Sequence, residues 1–229
     1  FVMDERSITD FQASILNWFK KEQRNFPWRQ SVDPYAILIA EKLLQQTAAK
    51  SIVIHVYREF LSRYSTPEKL ASASVDDVKL IIKPLGLLYR ANDLIQFAEE
   101  IVERFKGEIP KDLNSLLSLK GIGDYIARAV LSYAFEQDVA VVDTNVARFL
   151  YRFIGIPGSL PNNPSRNKKL NKLAEPFIPK GKSKEYNFAI IDLCALICKP
   201  RHPLCEYCPV LVYCSFGNQR TTPGVLGLS

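Results

Sequence analysis

The sequence predicts an all-α protein. Apolar residues recur at three- and four-residue spacing along almost the whole chain, and strictly alternating stretches are rare. The helical patterns are interrupted at Phe26-Pro27-Trp28, Thr66-Pro67, Pro84-Leu85-Gly86, Gly107 to Pro110 and Gly155 to Pro164, where proline or glycine punctuates the chain. About ten short helices fit between these breaks, each with one stripe turned to a core.

The first segment places Phe11, Ile15, Trp18 and Phe19 on one face. Asp33-Pro34 then opens a helix over Tyr35 to Thr47, with the aspartate as cap and the proline in the first turn. Glu41 shares a face with Ile37, Leu38, Leu44 and Gln45. Two arrangements fit that spacing: a carboxyl flanked by apolar groups, which burial would let hold a proton near neutral pH, or a member of an exposed stripe. Ile52, Val56 and Phe60 carry the next stripe, and Leu94, Phe97, Ala98 and Ile101 a further one.

Helical patterns at Leu113 to Leu119 and Tyr125 to Phe135 flank Leu119-Lys120-Gly121-Ile122-Gly123-Asp124-Tyr125. Two glycines one residue apart allow a tight hairpin and leave backbone N–H groups bare at the start of the second helix. Such a turn either only packs or holds a phosphate oxygen. The apolar run Val139 to Val142 leads to Asp143, placed to cap a helix over Val146 to Phe153. The positive end of a helix favours a charged carboxylate there, so capping and catalysis are compatible. Residues 164 to 184 carry Arg166, Lys168, Lys169, Lys172, Lys180, Lys182 and Lys184 against Glu175 alone and read as a solvated basic face. Residues 215 to 229 have no periodic apolar face and read as a loose tail.

The chain of 229 residues is long enough for a sizeable core, and Lys+Arg 30 against Asp+Glu 24 gives a net charge of +6 that should attract polyanions. No run approaches the roughly 18 apolar residues of a membrane span and no secretory pattern opens the chain, so a cytoplasmic protein without membrane contact is expected. Four of the five cysteines form Cys198-x6-Cys205-x2-Cys208-x5-Cys214. Clustered thiols without an export signal point to metal binding rather than disulfides. Four thiolates suit zinc, in which His202 could replace one ligand, or an iron–sulfur cluster, and the role expected for either is structural.

In this order, Glu41 to Thr47 as E-x-x-L-Q-Q-T, Leu119 to Gly123 as L-x-G-x-G, Val142-Asp143 before a helix, and the cysteine loop resemble the helix-hairpin-helix DNA glycosylases that carry a [4Fe–4S] cluster, the superfamily of endonuclease III and MutY. The likeness runs from Phe26-Pro27-Trp28-Arg29 to Cys214. It implies a six-helix barrel with the hairpin over residues 29–135. Beside it would stand a cluster domain made of the N-terminal helix (1–28) and residues 136–214, with 215–229 as tail. Cys198, Cys205, Cys208 and Cys214 would hold the [4Fe–4S] cluster, and double-stranded DNA with a mismatched or damaged base would be the partner of a monomeric, nucleoid-associated prokaryotic enzyme.

Gly121 and Gly123 would grip the phosphate backbone, and Lys199 and Arg201 would meet phosphates. Gln45 or Gln46 and a wedge at Leu87 or Leu88 would fill the gap left by an everted nucleotide. Lyases of the superfamily carry a Schiff-base lysine at the position of Tyr125, so a monofunctional hydrolase without efficient lyase activity is expected. In it Asp143 stabilises the cationic sugar, Glu41 donates at the base pocket, and Tyr125 packs on the flipped base. Tyr125, Asp33-Pro34-Tyr35 and a chain that ends soon after the cysteine loop are most similar to the archaeal-type glycosylases that remove thymine or uracil opposite guanine. A MutY-type adenine glycosylase and a catalytically silent DNA-binding module are the alternatives.

Overall fold

The computed structural model describes residues 3–45, 47, 49–86, 88–164 and 167–221, the last two as backbone only. Among them the regular structure is helical throughout, without a strand. No helix there is long and apolar enough to cross a membrane. The chain divides into two compact units, one of Phe1–Arg24 with Glu136–Ser229 and one of Asn25–Phe135.

The continuous unit holds α2 (Pro34–Leu44), α3 (Ser51–Arg63), α4 (Pro67–Ala71), α5 (Val75–Ile82), α6 (Arg90–Phe105), α7 (Leu113–Leu117) and α8 (Asp124–Tyr133). Side-chain caps fix four of the starts: Asp33 accepts the Tyr35 amide, Thr66 that of Lys69, Ser74 that of Asp77 and Asp112 that of Ser115. Each such cap contributes roughly 1 kcal/mol. α2 packs on α3 and α8, while α4 and α5 pack on α6. Their inner stripes, with Leu38, Ile39, Val56, Phe60, Leu94, Phe97, Ala98 and Ile101 all essentially inaccessible, form one core.

α2 is almost wholly buried from Tyr35 to Leu43, and it ends at Leu44 rather than at Thr47. The cause lies on α6. Arg90, itself buried, donates to the carbonyls of Leu43, at 3.3 Å, and Gln45, and so satisfies the helix end from outside while Gln45 turns to an extended conformation.

The discontinuous unit contains α1 (Glu5–Glu22), α9 (Thr144–Ile154), α10 (Lys168–Ala174), α11 (Ser183–Leu196) and α12 (Ser215–Thr221). Phe11 explains why the N-terminal helix belongs with the C-terminal part. Its ring lies 4.8 Å from Phe153, 5.4 Å from Phe177 and 6.3 Å from Tyr213, an aromatic cluster drawn from across the unit. At the other end of α1, the Arg24 side chain and amide both reach Asp192 of α11, at 2.6 and 2.9 Å.

The apolar run before Asp143 is no strand. Its backbone is served by two side chains of α11, since Asn187 accepts the Val141 amide at 3.1 Å and donates to Val139 O at 2.9 Å, and Ser183 Oγ donates to Val139 O at 3.0 Å. Residues 215–221, expected to belong to a loose tail, form α12. Two local contacts outweigh the missing periodicity: Phe216 lies under the Arg152 guanidinium at 4.9 Å, and Gly217 packs so closely on Leu211 that a Cβ would come within 2.6 Å of it.

Candidate functional site

In the continuous unit the groups expected to handle a base and its backbone sit on α2, α8 and the loops around them. Glu41, three residues before the end of α2, is 5% exposed. The buried arrangement is thus the one adopted, and the exposed stripe is excluded. Tyr125 is half-buried near the start of α8, which packs on α2. Gln45 is half-buried just past the end of α2, where Arg90 holds its carbonyl, and Gln46 and Leu87 lie outside the described residues. Leu88, 40% exposed, stands one residue before Tyr89, 58% exposed, which adjoins Arg90. Arg90 therefore ties the Gln45 turn to the Leu88–Tyr89 turn.

The hairpin between α7 and α8 has the geometry its glycines suggest. Gly121 has φ +68°, a left-handed conformation that side-chain-bearing residues seldom adopt. Gly123 precedes α8 with no side-chain cap, and the space around its Cα is open. Amides at an uncapped, accessible helix start are donors with a positive dipole end behind them, suited to an anion.

Sequence inspection missed what lies beneath. Lys42, next to Glu41, is 3% exposed and donates from Nζ to Gly121 O at 3.2 Å, with its ammonium 5.6 Å from the Phe97 ring centroid. Burial lowers its pKa; Asp93 works against that shift and Arg90 with it. A lysine has no sequence signal for burial, because its charge normally keeps it at the surface.

In the discontinuous unit Asp143 caps α9. Oδ1 accepts the Val146 amide at 2.7 Å and Oδ2 accepts Asn145 Nδ2 at 3.0 Å. Asn145 Oδ1 in turn accepts Arg148 Nη1 at 2.9 Å, and Arg148 Nη2 donates to Cys198 O at 3.0 Å. A hydrogen-bonded chain therefore joins the capping carboxylate to the first cysteine of the loop. Arg152, one turn further along α9, donates to Lys199 O at 2.7 Å, Pro200 O at 3.0 Å and Cys198 Sγ at 3.5 Å. Neither arginine was expected as a site residue. A helical i, i+4 pair that braces a loop some fifty residues away leaves no local mark.

The loop itself is a string of tight turns. Cys208 N donates to Cys205 O, Leu211 N to Cys208 O and Cys214 N to Leu211 O, at 3.0, 3.2 and 2.9 Å. All four cysteines are free thiols. Burial pushes Cys208 up to about 12, the Val210 amide pulls it down, and Cys214, Cys198 and Cys205 raise it further. Besides Arg152, the Gly217 amide points at sulfur, 3.4 Å from Cys214 Sγ. Among the described residues no three His, Cys, Asp or Glu side chains close on a point suited to a single metal ion. By donor type alone, four soft sulfurs suit zinc or an iron–sulfur centre. His202 is exposed on this loop at φ +50°, and Lys199 is half-buried and Arg201 exposed beside it.

A model of the HhH-GPD superfamily base excision DNA repair protein matches residues 39–176, a span that includes the second half of α2 with Glu41, the hairpin and Asp143. The thymine/uracil-DNA glycosylase of Pyrobaculum aerophilum is 39% identical over 206 residues, which cover 88% of this chain and 89% of that one. The adenine DNA glycosylase of Rattus norvegicus is 34% identical over 97% of this chain but only 44% of its own length. Among solved structures, a thermostable thymine-DNA glycosylase superposes with a TM-score of 0.86 at 34% identity, covering 93% of this chain and 98% of its own. With a helical hairpin, capped aspartate and buried glutamate inside a matched segment that spans more than half of the chain, the chain belongs to the HhH-GPD superfamily of base excision DNA repair proteins.

Proposed function

We propose that the protein is a monofunctional DNA glycosylase that hydrolyses the N-glycosidic bond of thymine or uracil mispaired with guanine. The single observation that carries the pyrimidine specificity is the match to a thymine/uracil-DNA glycosylase, 39% identical over 88% of this chain and 89% of that one.

The chemistry follows from the residue types. As the bond from C1′ to the base breaks, the electron pair leaves with the base and the sugar becomes cationic. Asp143, held in one orientation by Val146 N–H and Asn145, supplies a carboxylate to that sugar and orients the water whose oxygen bonds C1′. Asp143 or bulk water takes the proton that the water releases. Thymine and uracil leave as stabilised anions, so buried Glu41 acts at the base by hydrogen bonding and not by obligatory proton transfer. Tyr125 packs on the base and, standing where a lyase would carry its lysine, leaves water as the nucleophile.

The hairpin binds a backbone phosphate at Gly121 and Gly123, Lys199 and Arg201 add phosphate contacts, and Gln45 or Gln46 with Leu87 or Leu88 fills the gap of the everted nucleotide. Cys198, Cys205, Cys208 and Cys214 would hold a [4Fe–4S] cluster, which when bound would cross-link the loop.

Duplexes carrying T·G, U·G and A·8-oxoguanine, incubated with the protein and then cleaved with alkali, test this. Base loss from T·G and U·G is expected. Loss from A·8-oxoguanine alone would move the assignment to an adenine glycosylase, and loss from none would leave a DNA-binding module. Covalent trapping by borohydride would contradict the monofunctional mechanism.

A further inference from the structure

We propose that Lys42 is a positioning residue of the phosphate-binding hairpin: its buried ammonium holds the Gly121 carbonyl from inside, and so fixes and charges the turn that grips DNA. This rests on the hairpin binding backbone phosphate, as proposed above.

Three features of the hairpin converge on this role. Lys42 Nζ donates to Gly121 O at 3.2 Å although the residue is 3% exposed. Gly121 has φ +68°, a backbone that disfavours a side chain, and a Cβ on it would lie 2.7 Å from that same nitrogen, so the ammonium abuts the turn. On its outer side the hairpin leads into α8 with no side-chain cap and open space at Gly123.

A buried ammonium is costly, and an apolar side chain of similar volume would usually serve the fold as well or better. Beneath an anion-binding turn the charge has a use. It pins a carbonyl whose rotation would swing the neighbouring amides off a phosphate, and buried charge is screened by salt far less than surface lysines are. Since α2 also carries Glu41, the same contact couples the depth of the hairpin to the helix that presents the base-side carboxyl. The charged groups that act on Lys42 come from α6, Asp93 favouring its protonated form and Arg90 opposing it.

Lys42→Met removes the charge and keeps the volume. For a short duplex with one G·U pair, the dissociation constant should rise about tenfold at constant salt, a change of about 1.4 kcal/mol. The slope of log Kd against log salt should stay that of the wild type, since Lys42 itself displaces no counterion from DNA. The melting temperature should not fall.

Binding as tight as the wild type overturns the proposal, and so does a salt slope reduced by about one, which would mark a direct phosphate contact. If Lys42→Met does not fold, the wild type decides. As pH rises toward about 10.4, where exposed lysines begin to discharge, its affinity should already decline because burial lowers the pKa of Lys42, and a flat profile below that value overturns the idea. Wild-type protein that binds no duplex at all would overturn the assigned function and this role together, whereas equal binding by wild type and Lys42→Met overturns this role alone.

Discussion

Asp143→Asn separates two jobs that one side chain performs. Asparagine caps helices about as well as aspartate, so its amide oxygen can keep the 2.7 Å bond from Val146 N–H. The variant loses the charge–dipole attraction at the start of α9, about 0.3–1 kcal/mol. It also turns an amide nitrogen toward Asn145 Nδ2, and replacing the 3.0 Å bond there costs about 0.5–1 kcal/mol unless Asn145 rotates. The fold should therefore lose about 1 kcal/mol, or roughly 2–4 °C in melting temperature.

Catalysis loses far more, because the departing charge is the one that faces a cationic sugar. Removing one group aimed at developing charge costs about 10²- to 10³-fold, or about 2.7–4 kcal/mol of barrier. The assay is single-turnover base release from a G·U duplex with protein in excess, run beside the dissociation constant on the same duplex and thermal melting. Affinity should be retained. Release within about threefold of the wild type, from folded Asp143→Asn, would remove Asp143 from the mechanism.

Glu41→Gln keeps the shape and a hydrogen-bonding group, and for a base that leaves as an anion it should slow release only about tenfold, the worth of one hydrogen bond; a loss beyond about 10³-fold would show obligatory proton donation. Asp192→Asn breaks a fully buried carboxylate from its 2.6 Å contact with Arg24, whose side chain is 29% exposed and keeps access to water; a loss of about 2 kcal/mol is expected, and an unchanged melting temperature would contradict it. Lys42 titrates lower in the folded than in the unfolded chain, so the unfolded state holds the extra proton between the two values. Wild type should gain stability relative to Lys42→Met as pH rises through that window toward about 10.4, and a urea-midpoint difference that moves the other way would refute the sign. Cys208→Ala should abolish the brown colour and iron content of the purified protein and lower its melting temperature, and an iron-replete, coloured variant would exclude Cys208 as a ligand.

Much of this molecule is legible without coordinates because its strongest signals are local. Helices follow from apolar spacing, the start of α2 from Asp33, which caps by its own side chain, the hairpin from two glycines, and the cysteine loop from four thiols within one short stretch. Asp143 belongs with these, as a cap whose hydrogen bond spans three residues. α12 escaped because a short helix held by Phe216 on Arg152 and by a close glycine contact needs no apolar stripe of its own.

What the amino-acid order determined by itself, then, is which segments become helices and which residue types are available for chemistry, since both are set by interactions a few residues long. Only the tertiary structure decided that Glu41 and Lys42 both lie inside, that Arg90 ends α2 ahead of its apolar pattern, and that Asn145, Arg148 and Arg152 brace Asp143 and the cysteine loop. The physical reason is that periodicity reports which side chains leave water cheaply. A charged side chain leaves water only where partners from distant segments await it, and those partners exist only in the folded chain.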